Sequence, residues 1–399
     1  MSRRKCENYD RGAKNMWKFL GKRLLQMLIT LFLFQAVTYF LIDAQPGDIA
    51  DLLTMDPNIP PNERQRLRAE LGLDRPPVER FFTYIGNFYR GNLGVSFGEY
   101  PKPVIDIIVE RLPRTVVLFL TANIVAFWAG FVTGKILAWR RGGFIEYSST
   151  ITGVTLYTVF LPWFALMMIW LFAVTLDLFP PGKFVDPEKW LKPDLPSVNE
   201  IFIKIIWTTL GALVVSFVGF WVSNRVVRSQ RVPIRLASVL IPVAGVLGYW
   251  VLSGAGGLAW DIVSHLVLPV GTLTLYTYAG IMLLMRTTML ETLREDYILT
   301  ARAKGLPDKT VRDKHAARNA LLPVWTSLVF GITGSISGGI ITETMFSWPG
   351  IGLTLLQASL SEDIPVAMGV LTILGVLTLV SHLIVDIGYA FLDPRIRYH

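Results

Sequence analysis

Apolar residues along this chain gather into eight continuous runs, near 24–42, 115–138, 150–174, 201–222, 234–252, 262–285, 322–342 and 365–388. Each is close to or above the ~20 residues that cross a ~30 Å hydrocarbon core at 1.5 Å per residue. The runs do not alternate, so the pattern predicts helices and excludes a barrel of ten-residue alternating strands. The fold class is therefore an all-α integral membrane protein of about eight spans.

Polar segments divide the chain further. Residues 1–23 form a basic tail, and 24–42 form the first transmembrane helix. That run exceeds the usual apolar core of a signal peptide, and Ile42 is a poor partner for a cleavage at Ala44, so an uncleaved anchor is expected. Residues 43–112 read as a small segment outside the cytoplasm, with turn signals (DPNIPPNER, LDRPP) and an amphipathic stretch, RFFTYIGNFYRGNLG. Spans follow in 113–183. A Pro-rich loop, FVDPEKWLKPDLPS, then opens an insertion at 184–260 that carries two further spans. Residues 261–388 hold the remaining spans around a charged loop at 291–323, and 389–399 form a tail.

Charge changes the picture by fixing orientation. The formal net charge is +8, which invites a nucleic-acid reading, yet only 17% of residues are charged. The Lys and Arg sit in short loops beside apolar runs, the signature of membrane orientation. The first 23 residues hold eight Lys/Arg against two acids. If every span crosses, Arg140/Arg141, the NRVVRSQRVPIR loop, the 291–323 loop and the RIRY tail share that side, and all are basic. Both termini are expected in the cytoplasm, with a lipid bilayer as partner and no nucleic acid. The single cysteine, Cys6, allows no intramolecular disulfide.

Most candidate chemistry fails on context. GVSFG (94–98) matches a hydrolase nucleophile elbow around Ser96, but none of the four histidines has a triad setting. LSGAGG (252–257) echoes an ATPase signature, yet no phosphate-binding G-x-x-x-x-G-K-[ST] loop exists. No His/Cys cluster has metal-ligand spacing, so catalytic residues and metal ligands are both read as none. His382 and Asp386 lie four apart on the last span and could pair as a relay or as a polar clasp to a neighbouring helix. His265 reads as a helix-end hydrogen bond.

The charged loop, EDYILTARAKGLPDKTVRDKHAARNALLP (295–323), is the strongest feature. Glu291 to Lys304 predicts a helix leaving the membrane, with Gly305 as its terminating residue. Pro307 suits the first turn of a second helix, Asp308 to Ala320, which ends before Leu322-Pro323 restarts the span. Val311, His315 and Asn319 fall on one stripe, and Ala316, Ala317 and Ala320 keep part of the surface flat. Two short helices at an angle make a knob shaped for a groove, although a solvated basic loop would read similarly.

DYILTARAKGL…HAARNALLP resembles the cytoplasmic "EAA" loop of ABC importer membrane subunits, in the variant of oligopeptide/dipeptide permeases. The general pattern begins Glu-Ala-Ala, where this chain has Leu299-Thr300-Ala301. PGDIADLL, LGLDRPP, GNLGVSF, RLPRTVVL, HLVLPVGTL, ETMFSWPGIG and LDPRIRY resemble the same branch, in order. The resemblance implies six core helices plus an added pair in 184–260. It implies a non-catalytic permease subunit in a prokaryotic cell membrane, for peptides, with nickel complexes or oligosaccharides as alternatives. The implied partners are a second homologous permease subunit, two ABC ATPase subunits that carry ATP and Mg, and an extracytoplasmic binding protein. This chain itself would hold no cofactor. The residues implied for ATPase coupling are Ala301, Arg302, Ala303, Gly305, Lys309, Arg312, His315, Arg318 and Asn319. Glu343, Trp348, Pro349 and Gly350 would form an outer turn near the gate. A secondary transporter or channel without ATPases, or a membrane hydrolase using Ser96, are the readings from other classes.

Overall fold

The structure, a computed structural model, describes residues 3–44, 62, 76–192, 195–225 and 231–392. PGDIADLL, most of LGLDRPP, the centre of the NRVVRSQRVPIR loop and all of LDPRIRY after Leu392 lie outside the described residues. All eight predicted spans fall on helices. In chain order these are α1 (Arg3–Asp43), α2 (Pro77–Tyr89), α3 (Val104–Trp139), α4 (Phe144–Thr158) and α5 (Leu161–Met168, continued by a π-turn at Ile169–Thr175). They continue as α6 (Val198–Ser223), α7 (Arg231–Leu252), α8 (Gly256–Thr292), α9 (Asp296–Ala303), α10 (Ala317–Gly338), α11 (Ile340–Met345), α12 (Ile351–Leu360) and α13 (Ile364–Leu392). A lone β-bridge joins Val95 to Pro103.

Six of the described helices are long and apolar enough to cross a membrane: Gly21–Ile42, Val104–Trp139, Val198–Ser223, Val232–Leu252, Gly256–Thr292 and Ile364–Asp386. Two predicted spans differ in detail. The 150–174 run is broken between α4 and α5, where Val159 turns extended (φ −66°, ψ 142°). Pro162 then sits in the first turn of α5, where its missing N–H costs nothing. The 322–342 run begins earlier, at Ala317, and breaks at Gly339. α3 starts at Val104, within the 43–112 segment, and carries Pro113 inside it.

The chain divides into two compact units. The first comprises Met1–Phe164, Val270–Met345 and Pro349–His399. In it α1 lies along α13, and α2 lays Phe81 into an aromatic cluster with Phe32, Tyr39 and Phe40 at 5.5–5.7 Å. Those rings explain the amphipathic stretch, whose Phe81 and Ile85 are its buried face. α3 meets α8 closely: a Cβ on Gly134 would lie 2.5 Å from the Met282 carbonyl, so only glycine lets the two backbones approach. One apolar core joins Val104, Ile107 and Ile108 of α3 with Ile351, Val366 and Val370.

The second unit is Ala165–Pro269 with Phe346–Trp348. Its main feature is the predicted helical pair. Ser197 caps α6 by accepting the Glu200 N–H at 3.2 Å. Arg235 at the start of α7 reaches back to Ser223 and Asn224, at 3.2 and 2.8 Å, closing the hairpin. Most other side chains of the pair are exposed apolar groups such as Trp207, Phe217, Leu240 and Val251, as hydrocarbon contact requires. The buried carboxylate of Asp261, in α8 after the pair, accepts from the Asp186 N–H, Lys189 Nζ and Trp190 Nε1 of the loop ahead of the pair at 2.9–3.0 Å. His265 Nδ1 meets the Asp261 carbonyl at 2.8 Å, a bond one turn back within α8 rather than at a helix end, because α8 already starts at Gly256.

Candidate functional site

The charged loop between α8 and α10 is built differently from the expected pair of free-standing helices. The helix leaving the membrane stops at Thr292, and a turn at Leu293–Glu295 precedes α9. Glu295 is extended (φ −69°, ψ 144°), so Glu291–Lys304 is two elements rather than one. α9 then ends as the sequence predicts. Gly305 adopts φ +72°, its N–H bonds the Arg302 carbonyl at 2.9 Å, and the Leu306 N–H bonds the Ala301 carbonyl at 3.4 Å. That pair of bonds is a Schellman turn, and only a left-handed residue forms it without strain.

The second helix also departs from expectation. Pro307 caps rather than enters it, accepting from Thr310 and Val311 at 2.8 and 3.1 Å. One turn, Asp308–Thr310, passes into a π-turn at Val311–Ala316 and then directly into α10. No break occurs at Leu322-Pro323, and Pro323 lies inside the helix. The loop's second arm therefore runs on into a predicted span, fused to it without a hinge.

Four of the loop's alanines point inward. Ala301, Ala316, Ala317 and Ala320 are buried with Ile298, Val311 and Val324 against Met285, Met289, Ala126 and Ala138 of α8 and α3. Their small size packs this chain against itself, and Ala301 presents no outer docking surface. Ala303, Arg302, Gly305, Lys309, Arg318 and Asn319 are exposed, and Arg312 and His315 are half-buried. Asn319 donates to the Tyr297 hydroxyl at 2.8 Å, tying α9 to the second arm. Arg302 stands over the Trp139 ring at 5.5 Å.

Sequence reasoning missed the loop's electrostatic anchor, Asp313. Its carboxylate takes both arms of the Arg312 guanidinium at 2.8 and 3.0 Å, and Lys135 Nζ of α3 at 3.1 Å. These two cations, Arg312 first, hold the Asp313 carboxyl down to about 2. A matching anchor joins Glu146 of α4 to Arg286 of α8, with the Gly142 N–H on the same carboxylate.

The turn at 343–350, expected on the outer side, holds a second constellation. Glu343 is fully buried in α11 and accepts from Thr115 Oγ1 at 2.7 Å and the Leu353 N–H at 2.8 Å. Thr115 in turn accepts the Ile351 N–H at 2.7 Å. Gly350 passes directly over this pair: a Cβ there would lie 2.2 Å from Glu343 and 2.4 Å from Thr115. Pro349 is half-buried beside it in sequence. Trp348, in the second unit, is buried with its ring edge-on to Phe184 at 4.9 Å.

The decoys resolve into structure. Ser96 is buried and donates to Asp363, which also takes the Gly98 N–H at 3.0 Å, so GVSFG is a turn pinned by a carboxylate. Asp386 pairs with Arg23 of α1 at 3.1 Å instead of with His382, a clasp to a neighbouring helix by a partner the sequence did not name. His382 bonds the Thr378 carbonyl at 2.8 Å. No three His, Cys, Asp or Glu residues gather as metal ligands among the described residues.

Residues 126–398 match the family described as binding-protein-dependent transport system inner membrane component, and residues 16–119 match the N-terminal family of the same components. The chain is similar to the di/tripeptide transport system permease protein DppB of Pseudomonas aeruginosa, 30% identical over 96% of this chain and 99% of the relative. It is 29% identical to the oligopeptide transport system permease protein AppB of Bacillus subtilis, over 96% and 100%. It is 30% identical to the dipeptide transport system permease protein DppB of Escherichia coli, over 96% and 99%.

Proposed function

The chain belongs to the family of binding-protein-dependent transport system inner membrane components, and on that premise we propose that it is the permease subunit of an ATP-driven peptide importer. End-to-end similarity to relatives named as di/tripeptide, dipeptide and oligopeptide permeases carries the reading. Nickel complexes and oligosaccharides are not favoured, since these relatives are named for peptides.

In this reading the chain pairs with a second homologous permease subunit, and an extracytoplasmic binding protein delivers the peptide. Two ABC ATPase subunits dock on the 296–319 segment and carry the ATP and Mg, while this chain does no hydrolysis and holds no cofactor. Both termini face the cytoplasm, as the basic loops favour. The exposed groups Arg302, Ala303, Lys309, Arg318 and Asn319, with half-buried Arg312 and His315, make the contacts. Gly305 sets the turn between the two arms.

The packing supplies the mechanism. Docked ATPases push on a segment whose alanine face is cemented to α3, α8 and α10. Asp313 ties that segment to Lys135 at the end of α3. Because α10 continues from the segment without a break, a displacement at Lys309 or Arg318 reaches the span as a rigid movement. The pathway then has inward- and outward-facing states, and each ligand shifts their balance by its differential affinity. Glu343 holds the outer turn closed on itself with its own hydrogen bonds, and turn and segment are carried by connected helices.

The reading is tested by purifying the chain from its native membrane and identifying what accompanies it. Two ATPases and a second permease, with ATP hydrolysis stimulated by peptide-loaded binding protein, support it. A chain that purifies alone and conducts peptide without ATP removes it.

A further inference from the structure

Two cavities lie end to end along the seam between α1 and α13. The first, about 370 Å³, sets the polar groups of Arg23, Gln26, Thr30, His382 and Asp386 among the apolar Met27, Leu379 and Leu383. The second, about 270 Å³, is apolar and is lined chiefly by Leu31, Phe34, Leu355, Leu371 and Leu374. Thr30 and Leu379 belong to both, so the two form one groove with a charged end and a greasy end. Together they fall in the ~300–1,000 Å³ range of small-ligand sites.

The length of the groove is informative. From Arg23 to Phe34 is eleven residues of helix, about 16 Å at 1.5 Å per residue. That is about half of a ~30 Å hydrocarbon core, the depth of one leaflet. The charged end sits at the start of the first membrane helix, beside Lys22, where lipid headgroups lie. The apolar end sits at the depth of acyl chains. A groove of this length and polarity matches a single phospholipid standing in one leaflet.

The charged end also selects the headgroup. Arg23 and Asp386 pair at 3.1 Å, with 42% and 24% of their side chains open to the surroundings. A purely anionic headgroup entering here meets the Asp386 carboxylate, and a purely cationic one meets the Arg23 guanidinium. A headgroup bearing both signs satisfies the two ends at once. Its phosphate lies on the guanidinium fork, which can serve a carboxylate and a phosphate oxygen together. Its ammonium donates to Asp386. Gln26 and Thr30 add neutral hydrogen-bonding groups along the way. The donor must carry N–H bonds, so a primary ammonium fits and a trimethylated one does not.

We propose that the α1–α13 groove is a binding site for one zwitterionic aminophospholipid, phosphatidylethanolamine, with its phosphate at Arg23, its ammonium at Asp386 and an acyl chain along Leu31, Phe34 and Leu374. Naming the leaflet as the cytoplasmic one rests on the orientation given above. The site itself does not depend on what is transported, and lipid retention is read without transport, so the two claims fail separately.

The test uses the full-length chain in nanodiscs of equal phosphatidylethanolamine, phosphatidylglycerol and phosphatidylcholine, followed by mild detergent delipidation and mass-spectrometric counting of retained lipid. The wild type is expected to keep about one phosphatidylethanolamine per chain, at least fivefold over either other lipid. The double variant Arg23→Gln, Asp386→Asn removes the charges while keeping hydrogen-bonding shape, and it is expected to lose that preference. Thr30→Trp fills the junction between the two cavities from an exposed helix position, and it is expected to lose the lipid with charges intact. Equal retention of phosphatidylglycerol by the wild type overturns the headgroup assignment. Retention unchanged in Thr30→Trp, or no retained lipid at all, overturns the site.

Discussion

Replacing Gly305 isolates what the turn in the 296–319 segment does. Its φ of +72° is left-handed, and no heavy atom lies within 4 Å of where a Cβ would stand. A substitution therefore collides with nothing, and its cost is backbone strain alone. Left-handed backbone costs an ordinary residue about 1–2 kcal/mol and a β-branched one more, so Gly305→Val should lose about 2–3 kcal/mol. Asparagine tolerates this region, and Gly305→Asn should lose under about 1 kcal/mol. At 1.4 kcal/mol per tenfold, the valine variant populates the native turn roughly 30- to 150-fold less against its alternatives. The Leu306 N–H then loses its bond to Ala301, and α9 is no longer held at its angle to the second arm. Hydrogen exchange at Leu306 reads the turn, and peptide-stimulated ATP hydrolysis by the assembled complex reads coupling. Valine should raise exchange and depress stimulation while asparagine stays near wild type. If the two variants behave alike in both assays, turn geometry does not couple the partners and rigid transmission through the 296–319 segment is ruled out.

Other positions yield independent expectations. Gly350→Ala places a methyl group on the Glu343–Thr115 pair, and overpacking together with a strained buried hydrogen bond should cost about 2–5 kcal/mol. Thermal unfolding in detergent, with Gly86→Ala as an open-space control, checks this, and an unchanged melting temperature for Gly350→Ala would contradict the packing. The Asp313 carboxyl is held at about 2 against its ordinary 3.8, so its folded-state value is depressed. Its stabilisation is therefore complete above about pH 4 and is lost as pH falls towards 2. Because Asp313 is partly open to solvent, the effect should be about 1 kcal/mol, absent from Asp313→Asn across the same pH range. Asp261→Ala strips one acceptor from three donors in the loop ahead of α6, and limited proteolysis should cut near Lys189 and Lys192 faster than in wild type. Equal cutting rates would show that the Asp261 cluster does not hold that loop.

The helices were legible because a bilayer enforces long apolar runs, and all eight predicted runs are helical. Gly305 was legible because Ala-Lys-Gly-Leu-Pro puts a left-handed residue between a helix and a proline, a local rule. Pro323 misled for a related reason: proline usually ends helices, but here α10 carries it through as membrane helices can. Partnerships across the chain were not legible. Glu343 finds Thr115 across 228 residues, and Ser96 finds Asp363 across 267, distances over which no local pattern reports. Nor does a stripe of alanines state its direction. In 316–320 it packs the chain on itself, so the outward surface of the segment falls to Arg302, Lys309 and Arg318.

The account's central claim is that force from ATP hydrolysis enters through the 296–319 segment. The most direct measurement is ATP-dependent uptake of a labelled peptide by proteoliposomes holding the purified complex and its binding protein. It is made with wild type and with Lys309→Cys cross-linked to its neighbour on the cytoplasmic side. The account predicts that Lys309→Cys cross-links to an ATPase subunit, and that uptake needs ATP and stops when the cross-link is locked. Uptake driven by an ion gradient without ATP, or unaffected by the locked cross-link, would contradict it.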